Sequence, residues 1–146
     1  MKSTQKITKV QLKVNHSDES FWLGVVSAEP DYKLSLLLNN KFNLSLKNIS
    51  PLKVPVDNGS ELEFSRFSDH IKSPEIFCTL FSNRSGKNFL LKNLKNIDYI
   101  FQAHDLSGKY HIKSLTSSLR EIESITAVFT IDLKLMKEKN IKYLIQ

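Results

Sequence analysis

Cysteine occurs once in this chain, at Cys78, so no internal disulfide can form and no pair of thiols can hold a metal. Glycine and proline number four each, too few for a linker-rich or low-complexity protein. Apolar runs such as Leu34 to Leu38 fall far short of the ~20 residues that a membrane-spanning helix needs. The opening Met1-Lys2-Ser3-Thr4-Gln5-Lys6 is basic but leads into no apolar segment, so no signal peptide is read and a cytoplasmic location is expected. Arginine is scarce as well. Of 21 basic residues, only Arg66, Arg84 and Arg120 carry the guanidinium suited to bidentate contacts with phosphates and bases. The net charge of +6 still makes a nucleic-acid accessory role an alternative reading. That role would use Lys2, Lys6, Lys9 and Lys13 or the tail cluster Lys134, Lys137, Lys139 and Lys142. Against it, Lys, Asn and Ile together supply 41 of the 146 residues, a bias that AT-rich coding also produces.

Hydrophobic residues make up 40% of the chain and include nine Phe. A chain of this length buries enough surface to fold as a single domain without staples. The centre of that domain is read as an antiparallel meander over residues 61–105. Phe64-Ser65-Arg66-Phe67 forms one strand and Ile76 to Asn83 the next, apolar on both faces and therefore central. Asn83-Arg84-Ser85-Gly86-Lys87-Asn88 has turn composition, with Phe89-Leu90-Leu91 as a short strand after it. Ile97, Tyr99, Phe101 and Ala103 then alternate with Asp98, Ile100, Gln102 and His104, and Gly108 ends the element. Pro74 marks where the second of these strands can begin.

Around the meander, Ile7 to Val14 alternates as a half-buried strand and Phe21 to Val26 is an extended apolar segment, with Gly24 permitting a bulge or close packing. Leu34, Leu37 and Leu38 share a helical face over residues 29–42, with Ser27 as the expected N-cap and Pro30 in the first turn. Leu44-Ser45-Leu46 reads as a brief strand. Pro51, Pro55 and Asp57-Asn58-Gly59 assign Ser50 to Gly59 to a loop. Ile112, Leu115, Leu119 and Ile122 define a second amphipathic helix over 110–122, and Ile125 to Asp132 a further strand. The Lys-rich tail, 133–146, is expected to pack against the domain edge. The sum is an α+β domain, an antiparallel-dominated sheet covered by two helices in a two-layer sandwich.

The chemistry-bearing residues are few. Asn83, Arg84 and Gly86 make a possible anion site, with Arg66 on a neighbouring strand able to converge with Arg84 on a carboxylate or phosphate. The segment lacks phosphate-loop spacing and opens no helix. Asp98 is the carboxylate nearest this group, and is otherwise expected to pair with a cation across the sheet. Tyr99, adjacent to it on a strand, should point to the opposite face and fill the core. Arg66, Asn83, Arg84 and Asp98 are therefore the candidate ligand-binding residues. Cys78 sits among apolar neighbours and reads as a core thiol. Trp22 with Phe21 reads as core, or as an anchor for a partner. His104-Asp105 with His111 lacks metal-site spacing, and no catalytic, dinucleotide or calcium motif is present, so no metal or cofactor is expected.

The segment Phe89-Leu90-Leu91-Lys92-Asn93-Leu94-Lys95-Asn96-Ile97-Asp98-Tyr99 resembles the signature of the bacterial IPExxxVDY family. Leu91 stands at its Ile position, Ile97 at its Val, and Asp98-Tyr99 match outright; Lys92 and Asn93 replace its Pro and Glu. Asp31-Tyr32-Lys33-Leu34, Phe64-Ser65-Arg66-Phe67 and Ser82-Asn83-Arg84 are similar to that family too. The resemblance implies kinship and assigns no chemistry. From the residues, the leading expectation is a non-catalytic domain that acts through a protein partner or as a homodimer, using free sheet edges and aromatics. The nucleic-acid role and a small-anion binder or enzyme around Arg66, Arg84 and Asp98 are its alternatives.

Overall fold

A computed structural model of the chain describes residues 20–69, 76–105 and 111–145. The strand expected at Ile7 to Val14, Pro74, Gly108 and the amino-terminal lysines lie outside them. Among the described residues six strands form one antiparallel sheet: β1 (Ser20–Ser27), β2 (Lys47–Pro55), β3 (Glu61–Asp69), β4 (Ile76–Ser82), β7 (Tyr99–Asp105) and β8 (Ile125–Thr130), in the order β2-β3-β4-β7-β1-β8. A two-residue hairpin, β5 (Arg84–Ser85) and β6 (Asn88–Phe89), stands apart. It turns through Gly86, whose φ of 60° is a conformation that residues with a Cβ rarely adopt. Strands β3, β4 and β7 are consecutive neighbours, as the meander read from residues 61–105 requires. Phe89-Leu90-Leu91, read as a short strand of it, lies outside the sheet, with only Asn88–Phe89 extended in the separate hairpin.

Alternation gives the sheet two apolar faces. Leu23, Val25, Phe67, Leu80, Tyr99 and Phe101 belong to the first, where the two main helices lie. Helix α1 (Asp31–Phe42) sets Leu34 and Leu38 there and stacks Phe42 on Phe101 at 6.4 Å. Pro30, not Ser27, occupies its N-cap position; Ser27 ends β1 and accepts the Glu29 N–H. At the other end Asn43 turns left-handed (φ 55°). The Asn39 side chain clamps Leu46 there by two hydrogen bonds, of 2.7 and 3.2 Å. Helix α2 (Ile112–Arg120) contributes Leu115 and Leu119. An ion pair from Lys41 to Glu121 ties the carboxyl ends of α1 and α2 together.

Two expectations are corrected. Residues 50–59 are not simply a loop, since β2 runs to Pro55 despite Pro51 and Pro55. It is an edge strand, where a missing N–H costs no ladder bond, and its register shifts between Ile49 and Leu52, so Ser50-Pro51 bulge out. Nor does the tail pack against an edge. It crosses the second face of the sheet, where Ile131, Leu133, Met136, Ile141, Tyr143 and Leu144 of its 3-10 turn (Leu133–Leu135) and helix α3 (Ile141–Leu144) meet Trp22, Phe64, Phe81 and Ile100. Residues 83–97 share that layer, held by Asn140 Nδ2 to the Leu90 carbonyl (2.7 Å) and by the Asn93 N–H to Glu138 (2.8 Å). Gly24 belongs to the same packing: a Cβ there would overlap Ile97 Cδ1 and lie 3.1 Å from its Cγ1.

Candidate functional site

Three of the four candidate residues converge. Asn83 links β4 to the hairpin and is fully buried. Its amide nitrogen donates to the Leu94 and Ile97 carbonyls, both at 2.9 Å, and its amide oxygen accepts from the Leu91 N–H at 2.8 Å. Both donors of the side chain and one acceptor position are thus committed to the backbone of residues 91–97. Arg84 Nε donates to Asp98 Oδ1 at 2.7 Å, while its guanidinium lies 4.9 Å from the Phe89 ring centroid. Asp98 Oδ2 accepts the Ser27 N–H at 3.0 Å, so one carboxylate joins β1, the hairpin and the start of β7. Arg66 goes elsewhere. Its Nε donates to the Ser50 carbonyl at 3.0 Å and satisfies the β2 bulge.

The alternation expected for Asp98 and Tyr99 fails, because Asp98 precedes β7 and is not bound by its pleat. Both side chains line an open recess of about 340 Å³ at the amino end of α1, with Ser27, Glu29, Ser82 and Arg84. Tyr99 donates its hydroxyl to the Glu29 carbonyl at 2.5 Å. Its pKa is pushed up to about 12, by burial first and then by the Asp31, Asp98 and Glu29 carboxylates. A phenol so held stays protonated and is no general base at neutral pH. The recess pairs Arg84 with Asp98, holds Glu29 as a second carboxylate, and leaves an incoming anion to compete with Asp98 for Arg84. Cys78, 5% exposed, has its thiol pushed up to about 12 by burial and secondarily by Asp69. That is the opposite of an activated nucleophile. Among the described residues no three His, Cys, Asp or Glu side chains gather as a metal site.

A second cavity lies on the far face of the sheet, and the sequence reading missed it. Strand register sets its floor in rows. Arg66 stands across from Phe81; Ser68, Thr79, Gln102 and Trp22 form the next row; Phe77, His104 and Ser20 form the third. The face is therefore apolar where the tail covers it and polar beyond. His104 stacks on Phe77 at 4.7 Å and shares a 2.5 Å hydrogen bond with Ser20; Trp22 stacks on Phe81 at 6.3 Å. Tyr143, Leu144 and Ile145 form one wall of this groove of about 510 Å³. The signal available in the sequence was the set Ser68, Thr79, Gln102 and His104, polar side chains at the same face parity of three strands. It became a site only when the strand register aligned them.

The chain matches no family model, no curated protein and no solved structure with which it was compared. The residues that carry the resemblance to the IPExxxVDY family are used for packing and pairing: Leu91 and Ile97 are buried, Asp98 pairs with Arg84, and Tyr99 bonds Glu29. No helix of the described residues is long and apolar enough to cross a membrane.

Proposed function

We propose that the protein is a non-catalytic protein-interaction domain whose β8, the outermost strand among the described residues on its side of the sheet, accepts an extended strand, first of all that of a second copy of the chain. The observation that supports this reading is the contrast between the two edges. Edge β2 carries two prolines, a bulge and two lysines, devices that discourage strand addition. Edge β8, Ile-Thr-Ala-Val-Phe-Thr, has no charge, no proline and a Phe129 that is 45% exposed. The Ile131 N–H bonds Trp22 on β1, so alternation turns the N–H groups of Val128 and Thr130 outward. Arg120 Nη2 reaches the Val128 carbonyl at 3.1 Å from that side; a carbonyl has room for a second donor. Two β8 strands related by a twofold axis would extend the sheet across the pair.

Sedimentation or light scattering against concentration tests it. Self-association is expected in the micromolar range, and Thr130→Pro, which removes an outward N–H without touching the β1 ladder, should leave monomers, as should Phe129→Lys. A monomer at every concentration would overturn self-pairing.

The second reading is nucleic-acid binding, and one observation favours it. The layer formed by residues 83–98 and 131–145 holds Arg84, Lys87, Lys92, Lys95, Lys134, Lys137, Lys139 and Lys142 against only Asp98, Asp132 and Glu138. Most of the net charge therefore sits on one side of the molecule. That reading requires binding that weakens steeply with salt, and absence of binding at about 50 mM salt would remove it.

A further inference from the structure

We infer that the groove on the second face of the sheet is a binding site for a compact organic anion that carries a planar ring, an aromatic carboxylate or phosphate. Its volume of about 510 Å³ falls within the range of small-molecule sites. Its lining is selective in charge. Among the described residues none that lines it is acidic, and Arg66 is the one permanently charged side chain. That guanidinium spends its Nε on the Ser50 carbonyl and makes only a long 3.5 Å contact from Nη2 to Ser50 Oγ. A guanidinium has five N–H donors, so donors remain for an anion in the groove. Gln102 is equally loosely held, with Nε2 at 3.5 Å from Ser20 Oγ.

The aromatic groups supply the second half of the recognition. Trp22, the last member of the polar row, stacks on Phe81 on one side of it, and Phe77 stacks on His104 in the row on the other side. Between them Thr79 and Gln102 are directly across from each other. A ring laid against the half-buried Phe77–His104 pair gains offset stacking, while the Gln102 amide bonds its substituents and Arg66 takes the charge. This assignment uses neither the β8 edge nor the basic layer, so it stands or falls apart from the proposed function.

Trp22 is the only tryptophan of the chain and lines the groove, so its emission reports occupancy directly. Benzoate and adenosine monophosphate serve as the two ring-bearing probes, acetate and inorganic phosphate as the ringless anions. At least one ring-bearing probe is expected to shift the Trp22 emission saturably with Kd below about 1 mM. The arm that responds tells carboxylate from phosphate. Arg66→Gln should raise that Kd about tenfold or more through loss of a charge-assisted bond, and Gln102→Met should raise it severalfold. Unchanged far-ultraviolet circular dichroism shows that each variant still folds. The assignment is overturned if neither ring-bearing probe saturates by about 10 mM, if both folded variants bind as the native protein does, or if acetate or phosphate binds as tightly as its ring-bearing counterpart.

Discussion

Replacing Asn83 with alanine removes three hydrogen bonds at once from a fully buried position. The consequences differ for the three partners. The Leu94 carbonyl still accepts the Ile97 N–H at 3.1 Å, but the Leu91 N–H and the Ile97 carbonyl lose the partners they have here. A buried group left unmade costs about 1–3 kcal/mol, so the substitution should destabilise by about 2–6 kcal/mol, toward the lower end if a water enters the space. Urea unfolding followed by Trp22 emission measures this. With a slope of about 1–3 kcal/mol per molar urea, the midpoint should fall by roughly 1 M or more. Hydrogen exchange at the Leu91 amide should accelerate in the same variant, because that proton has lost its acceptor. Asn83→Asp should cost still more at neutral pH, since a carboxylate keeps the Leu91 bond but faces two carbonyls. Part of that loss should return on acidification, which protonates the carboxyl and restores one donor. A loss under about 1 kcal/mol for Asn83→Ala, with Leu91 still protected, would refute the view that Asn83 pins the segment beneath the sheet.

Gly24→Ala should cost about 1–3 kcal/mol by overpacking against Ile97; Ile97→Val in the same chain, which removes Cδ1, should recover part of it in a thermal unfolding series. The Cys78 thiol, raised from 9.0 to about 12, favours folding while it is protonated in both states. That contribution, about 4 kcal/mol at most, is full below pH 9 and lost as the pH climbs from 9 toward 12. Native protein should therefore lose stability over that range more steeply than Cys78→Ala, and its thiol should react with a disulfide reagent at pH 8 only after unfolding. A double-mutant cycle on Arg84 and Asp98 should give a coupling under about 1 kcal/mol, because Arg84 is 48% exposed. Asp98→Ala should nevertheless cost more than Arg84→Ala, since it also strands the Ser27 N–H.

Local pattern by itself determined the meander of 61–105, both main helices and the extended segments around Trp22 and Val128. In the helices the period of the apolar residues coincides with the buried face, and in the central strands β1 and β4 a continuous apolar run matches burial on both faces. The pairing of Asp98 with a neighbouring cation was legible as a need, though not as Arg84. Tertiary structure decided the rest. Pro51 reads as a strand breaker until β2 proves to be an edge, where a bulge capped by Arg66 absorbs it. The Lys-rich tail has no strong period of its own, and what places it is the second apolar face of a sheet formed by residues far away in sequence. The groove arises likewise, since Ser68, Thr79, Gln102 and Ser20 are neighbours only through strand register. Periodicity is a property of ten neighbouring residues, whereas an edge, a covered face and a cavity are properties of which strands pair, and pairing is decided by burial summed over the whole chain.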